Sequence, residues 1–308
     1  MILCVCLSPA IDVTYRVDRL VPGATVRVGS VVQRPGGKAV NVARVLHALG
    51  ERVLVVAPAG GETGDELRRG LAQLGIPFRL VPDRTPTRRT VTTVDDHGEA
   101  TCLVEPASIT SWPEILTAVD RALADARALV VSGGLPSGVP PRGLRALVRA
   151  AKAHDVPVVV DTSGPALLEA VEAGCDVVKP NVDELAQVSP EHDPVRAARD
   201  MTDRSGTVVV VSRGGEGVVA TAADGTWEVR PSAPVVGNPT GAGDALVAGL
   251  ARGFARDRSA LGHPEGVLHD AVALSISSVH APTAGEVDLT AYADALTRVT
   301  VTALDGVG

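Results

Sequence analysis

Short β-branched runs recur along the chain and are apolar on both faces: Ile2–Leu7, Val53–Ala57, Leu129–Ser132, Val156–Asp161, Val177–Lys179 and Val208–Ser212. Strands of this kind belong in a parallel sheet covered by helices on both sides. Between them the period becomes helical. In Lys38–Leu49, residues Val42, Val45, Leu46 and Leu49 share one face, and Gly50 supplies the stop. Further helices are expected over Gly64–Leu74, Pro113–Asp125, Pro141–His154, Pro165–Ala173, Pro194–Arg204, Gly243–Ala255, Gly266–Val279 and Thr290–Ala303. Several open on a proline, a common first-turn residue. The alternation predicts a doubly wound α/β domain.

Two stretches break the pattern. Residues 9–35 hold Ile11–Val17 and Val26–Val32; residues 87–106 hold Arg89–Val94 and Glu99–Val104 around the turn Asp95-Asp-His-Gly98. Both alternate with period two, as antiparallel hairpins with one solvated face do. They predict a small β lid made of two separated segments, which closes over a site or pairs with a second copy. One domain spanning 1–308 is expected, with the tail Asp305–Gly308 frayed.

The net charge of -7 argues against nucleic-acid and anionic-membrane partners, and 2% aromatics argues against base-stacking platforms. No apolar run reaches membrane-spanning length, and Asp12 interrupts the apolar start before a signal peptide could finish, so a cytoplasmic protein is expected. Cys4 and Cys6 share one face of a strand, with a spacing that suits buried reduced thiols better than zinc or a disulfide framework. The seven histidines show no metal-binding spacing.

The chemistry concentrates in Asn238-Pro-Thr-Gly-Ala-Gly-Asp244, directly before the helical run Ala245–Ala251. Gly241, Ala242 and Gly243 should therefore sit at a helix N-terminus, where unpaired N–H groups attract anions and phosphate above all. A carboxylate beside such a cradle repels a phosphate, unless it takes the proton of the group attacking that phosphate. Asp244 is thus either that base or an ordinary first-turn charge. Pro35-Gly36-Gly37-Lys38 opens the helix carrying Asn41. Its glycines allow close backbone approach, and Lys38 opposes the helix dipole. Lys38 and Asn41 could hold a polyhydroxy or phosphorylated ligand, or Lys38 could be a solvated turn lysine. The spacing is not that of a Walker A loop.

Polar groups also follow several strands: Asp12 after the first, Ser132-Gly-Gly, Asp161-Thr-Ser-Gly164, Lys179-Pro-Asn181 with Glu184, and Ser212-Arg-Gly-Gly-Glu-Gly217. In a parallel sheet these converge on one edge, where α/β ligands bind. Asn181 and Glu184 offer two oxygens three residues apart, suited to a water-rich Mg²⁺, although Glu184 standing alone would be an N-terminal helix carboxylate. Arg88 and Arg89, with Arg27 as helper, could take a substrate phosphate or be solvated strand charges.

Taken together these segments resemble the ribokinase-like carbohydrate kinases, the phosphofructokinase B (PfkB) family. The signatures Pro35–Arg44 and Asn238–Asp244 carry the resemblance, supported by Lys179-Pro-Asn181 with Glu184, by Ser212, Gly214 and Gly217, and by Pro282-Thr-Ala-Gly285. Order and spacing cover nearly the whole chain. The Gly-Gly-Lys form, with Asn-Pro before Gly-Ala-Gly-Asp, is more similar to the 1-phosphofructokinase and tagatose-6-phosphate kinase branch than to ribokinase. The resemblance implies a three-layer α/β/α core with a mainly parallel sheet, a β lid, ATP, Mg²⁺ and a homodimer joined through the lids. It implies Asp244 as catalytic base and Gly241, Ala242 and Gly243 as anion hole. Asp12, Gly36, Gly37, Lys38, Asn41, Arg88 and Ser132 would contact the sugar phosphate. Lys179, Asn181, Ser212, Gly214 and Gly217 would contact the nucleotide, and Asn181 and Glu184 would organise Mg²⁺ through water. The implied reaction is ATP-dependent phosphorylation of fructose 1-phosphate or tagatose 6-phosphate to the bisphosphate. Ala39, Thr90, Arg213 and Asn238 depart from the family's usual residues. The alternatives are a kinase for an unphosphorylated sugar or nucleoside, and a non-catalytic sugar or nucleotide sensor. A dinucleotide oxidoreductase is disfavoured, since no Gly-x-Gly-x-x-Gly follows the first strand.

Overall fold

The computed structural model describes residues 1–281 and 283–304. Pro282 and the expected frayed tail, residues 305–308, lie outside the described residues. In chain order the strands are β1 (Ile2–Val5), β2 (Ala10–Arg16), β3 (Ser30–Gly36), β4 (Val53–Ala59), β5 (Phe78–Pro82), β6 (Arg88–Val94), β7 (Ala100–Val104), β8 (Ala128–Ser132), β9 (Val158–Asp161), β10 (Val177–Val178), β11 (Val208–Ser212), β12 (Val218–Ala222), β13 (Gly225–Pro231) and β14 (Val299–Ala303). The helices are α1 (Lys38–Ala48), α2 (Gly61–Gln73), α3 (Trp112–Leu123), α4 (Gly143–Ala153), α5 (Pro165–Glu172), α6 (Val182–Ala186), α7 (Pro194–Ser205), α8 (Ala242–Arg256), α9 (Glu265–Val279) and α10 (Leu289–Arg298).

Ten strands form one sheet in the order β14-β13-β12-β11-β10-β9-β8-β1-β4-β5. From β11 to β5 every pairing is parallel. Strand alternation divides the core. Ile2, Cys4 and Cys6 join the cluster that packs α1, α2, α8, α9 and α10, while Leu3, Val5 and Leu7 join the one that packs α3, α4, α5 and α7. The sheet is thus sandwiched, as two-sided apolar runs require. Cys4 and Cys6 are buried free thiols, whereas Cys102 is exposed on β7.

The structure corrects the expected elements at one end. The helix expected over Thr290–Ala303 stops at Arg298; Val299-Thr-Val-Thr-Ala303 continues as β14 beside β13. Its β-branched alternation fits a half-covered antiparallel strand better than a helix. Strands β12, β13 and β14 extend the parallel sheet by antiparallel pairs, an extension the sequence analysis did not foresee. It also lacked β5.

The lid is a four-stranded sheet in the order β3-β2-β6-β7. Each expected hairpin is antiparallel, but β3 begins at Ser30, later than the expected Val26–Val32 run. The hairpins join through a parallel β2–β6 pairing that brings Asp12 opposite both Arg34 and Thr90. Exposed Val31, Leu103 and Val104 leave apolar surface on this sheet.

Candidate active site

Asp244 lies in the first turn of α8, 7% exposed. The N-cap, Gly241, adopts φ 91°, a left-handed conformation that glycine takes without steric cost. A Cβ there would stand 2.8 Å from Ala284 Cα, so only glycine fits this close approach. The amide of Ala242 donates to the Pro239 carbonyl at 3.2 Å. The Gly243 and Asp244 amides, at the second and third helical positions, have no intrahelical acceptor by the geometry of a helix start. These are the donors a phosphate would meet.

Asn41 projects from α1 and donates Nδ2 to Asp244 Oδ2 at 3.0 Å. Burial first, and then the neighbouring Asp161 carboxylate, push the Asp244 carboxyl up to about 7, against the pull of Asn41, Lys38 and Lys179. A carboxylate that titrates near neutral pH is a far better proton acceptor than an ordinary aspartate.

Asp161, at the end of β9, organises the charges around this centre. It is 1% exposed. Lys179 Nζ lies 3.1 Å from its Oδ1 and Lys38 Nζ 3.3 Å from its Oδ2. Ser132 donates its hydroxyl to Oδ2 at 2.9 Å. Burial alone would raise the Asp161 carboxyl, but Lys179 and Lys38 outweigh it and hold it below its usual value. The sequence analysis noted Asp161 only as a polar strand terminus. Its signal was position alone, because the partners come from β8, α1 and the loop after β10.

Lys38, its side chain 44% exposed, also stands 4.0 Å from Glu184 Oε1. Burial works against its charge, yet Asp161, Asp244 and Glu184 together raise its affinity for the proton. Its ammonium therefore faces the centre around Asp244. Lys179 is buried, and a Cβ on Gly243 would lie 3.8 Å from its Nζ, so the lysine borders the amide cradle.

Asn181 and Glu184 are brought together as a capping box for α6. Asn181 Oδ1 accepts from the Glu184 amide at 2.7 Å, and Glu184 Oε2 accepts from the Asn181 amide at 2.9 Å. Only Glu184 Oε1 is left toward Lys38. Ser212 lies alongside, its amide donating to the Pro180 carbonyl at 3.0 Å. Gly214 and Gly217 follow at φ 58° and 87°, and a Cβ on Gly217 would fall 2.0 Å from the Val229 carbonyl oxygen. Arg213 turns away to an ion pair with Glu228 at 2.6 Å.

Asp12 sits at the lid base. A Cβ on Gly36 would fall 2.0 Å from Asp12 Oδ2, and one on Gly37 2.9 Å from Cys6 Sγ, which explains the Gly-Gly pair. Burial raises the Asp12 carboxyl, with Arg44 and Arg88 opposing. Arg88 donates to the carbonyls of Glu105 at 3.0 Å and Ser8 at 3.5 Å, while its buried Nε has no partner. It lines a small cleft with Ser8, Pro9, Gly60 and Thr87. Three further residues of the sequence reading have their own surroundings. Ser132 is buried and its hydroxyl is committed to Asp161. Arg89, next along β6, pairs with Glu66 at 3.7 Å. Arg27 is exposed in the connection between β2 and β3. Among the described residues no helix is long and apolar enough to cross a membrane.

Comparison with known proteins identifies the family. Residues 1–279 match the pfkB family of carbohydrate kinases. Over 265 residues the chain is 31% identical to the ATP-dependent 6-phosphofructokinase isozyme 2 of Mycobacterium tuberculosis, spanning 83% of this chain and 78% of that protein. The crystal structure of phosphofructokinase-2 from Escherichia coli in complex with fructose-6-phosphate matches with TM-score 0.84 and 29% identity, over 96% of this chain and 99% of that one. A possible 1-phosphofructokinase from Thermotoga maritima shares the fold, with TM-score 0.87 at 23% identity over 99% of each chain. The family match over residues 1–279, with a 31% identical relative spanning 83% of this chain, makes it a member of the pfkB family of carbohydrate kinases.

Proposed function

We propose that the protein transfers the γ-phosphoryl group of ATP to a primary hydroxyl of a ketohexose phosphate, giving the bisphosphate. The observation that carries this reading is Asp244, buried, raised to about 7 and bonded to Asn41 beside the start of α8. Asp244 takes the proton of the sugar hydroxyl as its oxygen forms a bond to phosphorus. The bond from that phosphorus to the bridging oxygen of ADP breaks, and ADP leaves with the electron pair. The Gly243 and Asp244 amides, with Lys179 and Lys38, balance charge on the group in flight.

The residues present fit ATP and Mg²⁺. A buried lysine beside an amide cradle suits phosphates, and a single outward carboxylate oxygen, Glu184 Oε1, suits a Mg²⁺ that keeps most of its water. Bound Mg²⁺ would screen the phosphate charge. Ser212, Gly214 and Gly217 would border the nucleotide. The placement of Lys38 between Asp161 and Glu184 suits the transferring group rather than the phosphate that the sugar already carries. Arg88, whose charge reaches Asp12, is better placed for that phosphate, with Asp12 for the hydroxyls. The exposed apolar residues of the lid support pairing with a second copy.

The relatives' names widen the substrate panel to fructose 6-phosphate, beside fructose 1-phosphate and tagatose 6-phosphate. ADP release measured with these three, with free fructose, ribose and adenosine, and with no sugar tests the proposal. Turnover on a ketohexose phosphate at least about tenfold above the unphosphorylated acceptors is expected, since one extra charged contact can supply that factor. Preference for an unphosphorylated acceptor, or no sugar-dependent ADP release at all, overturns it.

A further inference from the structure

Three charged side chains outside the reaction centre meet where the lid joins the core. Arg34 comes from β3, Arg44 from α1, and Glu286 from the segment 283–286 between α9 and α10. Both guanidinium groups converge on one oxygen, Glu286 Oε1: Arg34 through Nη1, and Arg44 through Nη2 at 3.3 Å. Each arginine also grips the segment itself. Arg34 donates to Thr283 Oγ1 at 2.5 Å, and Arg44 donates to the Ala284 carbonyl at 2.9 Å.

The segment is the backing of the phosphate cradle. Ala284 lies against Gly241, and a Cβ on Gly285 would stand 3.0 Å from Asn41 Oδ1, on the residue that holds Asp244. On the other side, Arg34 is the β3 residue in register with Asp12. Glu286 thus stands between the strand that carries the sugar side of the site and the segment that supports the phosphate side. Arginine does not lose its charge in proteins. Without Glu286, two permanent cations would face each other, one of them, Arg44, only 7% exposed. Repulsion between them would push the β3 edge strand outward.

We infer that Glu286 is a positioning residue that pins lid strand β3, through Arg34, to the segment behind the α8 N-terminus, so that lid placement and cradle geometry are set together. The inference rests on the proposed function for the roles of lid and cradle, but not for the clasp itself.

Hydrogen exchange by mass spectrometry on the free protein, wild type against Arg34→Gln and Glu286→Gln, tests it. The Arg34 and Glu286 side chains are each about a third exposed. Arg34→Gln should therefore fold and free β3 and residues 283–286 together, each exchanging about fivefold faster, the scale of a partly screened charged contact. Glu286→Gln should have the larger effect, because it takes the shared carboxylate from both arginines and leaves Asp12 as the acid beside Arg44. The double variant should be less perturbed than the sum of the singles, because removing Arg34 relieves the repulsion that the first change creates. In the sugar-phosphate assay, Arg34→Gln should lower kcat about fivefold although Arg34 touches no reacting group. Faster exchange in β3 alone, in neither segment, or strictly additive double-variant behaviour overturns the inference, as does coupled exchange with unchanged kcat. Should the wild type turn over no sugar phosphate, the functional reading fails, and the exchange experiment still decides whether the clasp exists.

Discussion

Replacing Asp244 by Asn removes a buried charge and the proton acceptor in one step, with opposite effects on stability and on turnover. The carboxyl rises from an ordinary 3.8 to about 7, chiefly through burial and secondarily through Asp161. At about 1.4 kcal/mol per pH unit, holding the ionised form in the folded state costs roughly 4 kcal/mol. The folded protein binds this proton more tightly than the unfolded chain does. Its contribution to stability is therefore complete below about pH 4 and is lost as pH climbs through about 7. Asparagine cannot ionise, is nearly isosteric, and can still accept from Asn41. The variant should match wild type near pH 4, gain steadily above it, and lead by up to roughly 4 kcal/mol at pH 8. For a chain of this size that corresponds to roughly 5–15 °C in Tm. Calorimetry or dye-monitored melting between pH 4 and 9 reads the gap, and ADP release reads turnover, which should fall at least about 1000-fold while nucleotide binding survives. A Tm gap that does not change with pH, a variant less stable than wild type at pH 8, or near-wild-type turnover would refute the reasoning.

Other expectations follow from the same charges. The wild-type kcat/KM should rise with pH through an apparent pKa near 7, because Asp244 accepts a proton only when ionised. Asp161→Asn should move that limb to lower pH, since it removes the negative neighbour that raises Asp244. It should also cost about 3 kcal/mol or more in a melting experiment, because the buried Lys179 loses its counter-ion. An unmoved limb would show that Asp161 does not tune the base. Lys38→Met should lower kcat by about 100-fold with a smaller change in KM for the sugar phosphate, the signature of a group serving the transition state. A pure KM effect on the sugar would return Lys38 to the sugar's own phosphate. Gly241→Ala should cost about 1–2 kcal/mol for the left-handed backbone and depress kcat, because its methyl group meets Ala284. Unaltered kcat would show that this approach does not shape the cradle.

Local pattern determined much of this molecule. Two-sided valine and isoleucine runs can only be satisfied inside a covered parallel sheet, and the Gly-Ala-Gly-Asp turn before an alanine-rich run can only open a helix. Although β5, β12 and β13 were missed, most core strands and helices, the position of Asp244 at a helix start, and the two lid hairpins follow from such local constraints. The last strand did not, because Thr290–Ala303 satisfies a helical reading until β13 offers Val299–Ala303 a free edge to pair with. The parallel joining of β2 to β6 was likewise invisible, being a contact between residues 78 positions apart, as Ala10 opposite Arg88. So was the division of labour among charges. Whether Ser132 faces a ligand or Asp161, whether Arg88 or Arg89 enters the cleft, and that Glu286 gathers Arg34 and Arg44 depend on which strands lie side by side. A side chain's chemistry is written in its residue type, but the field that moves the Asp244 carboxyl to about 7 is assembled from α1, β9, the loop after β10 and α8, and only the folded chain brings these together.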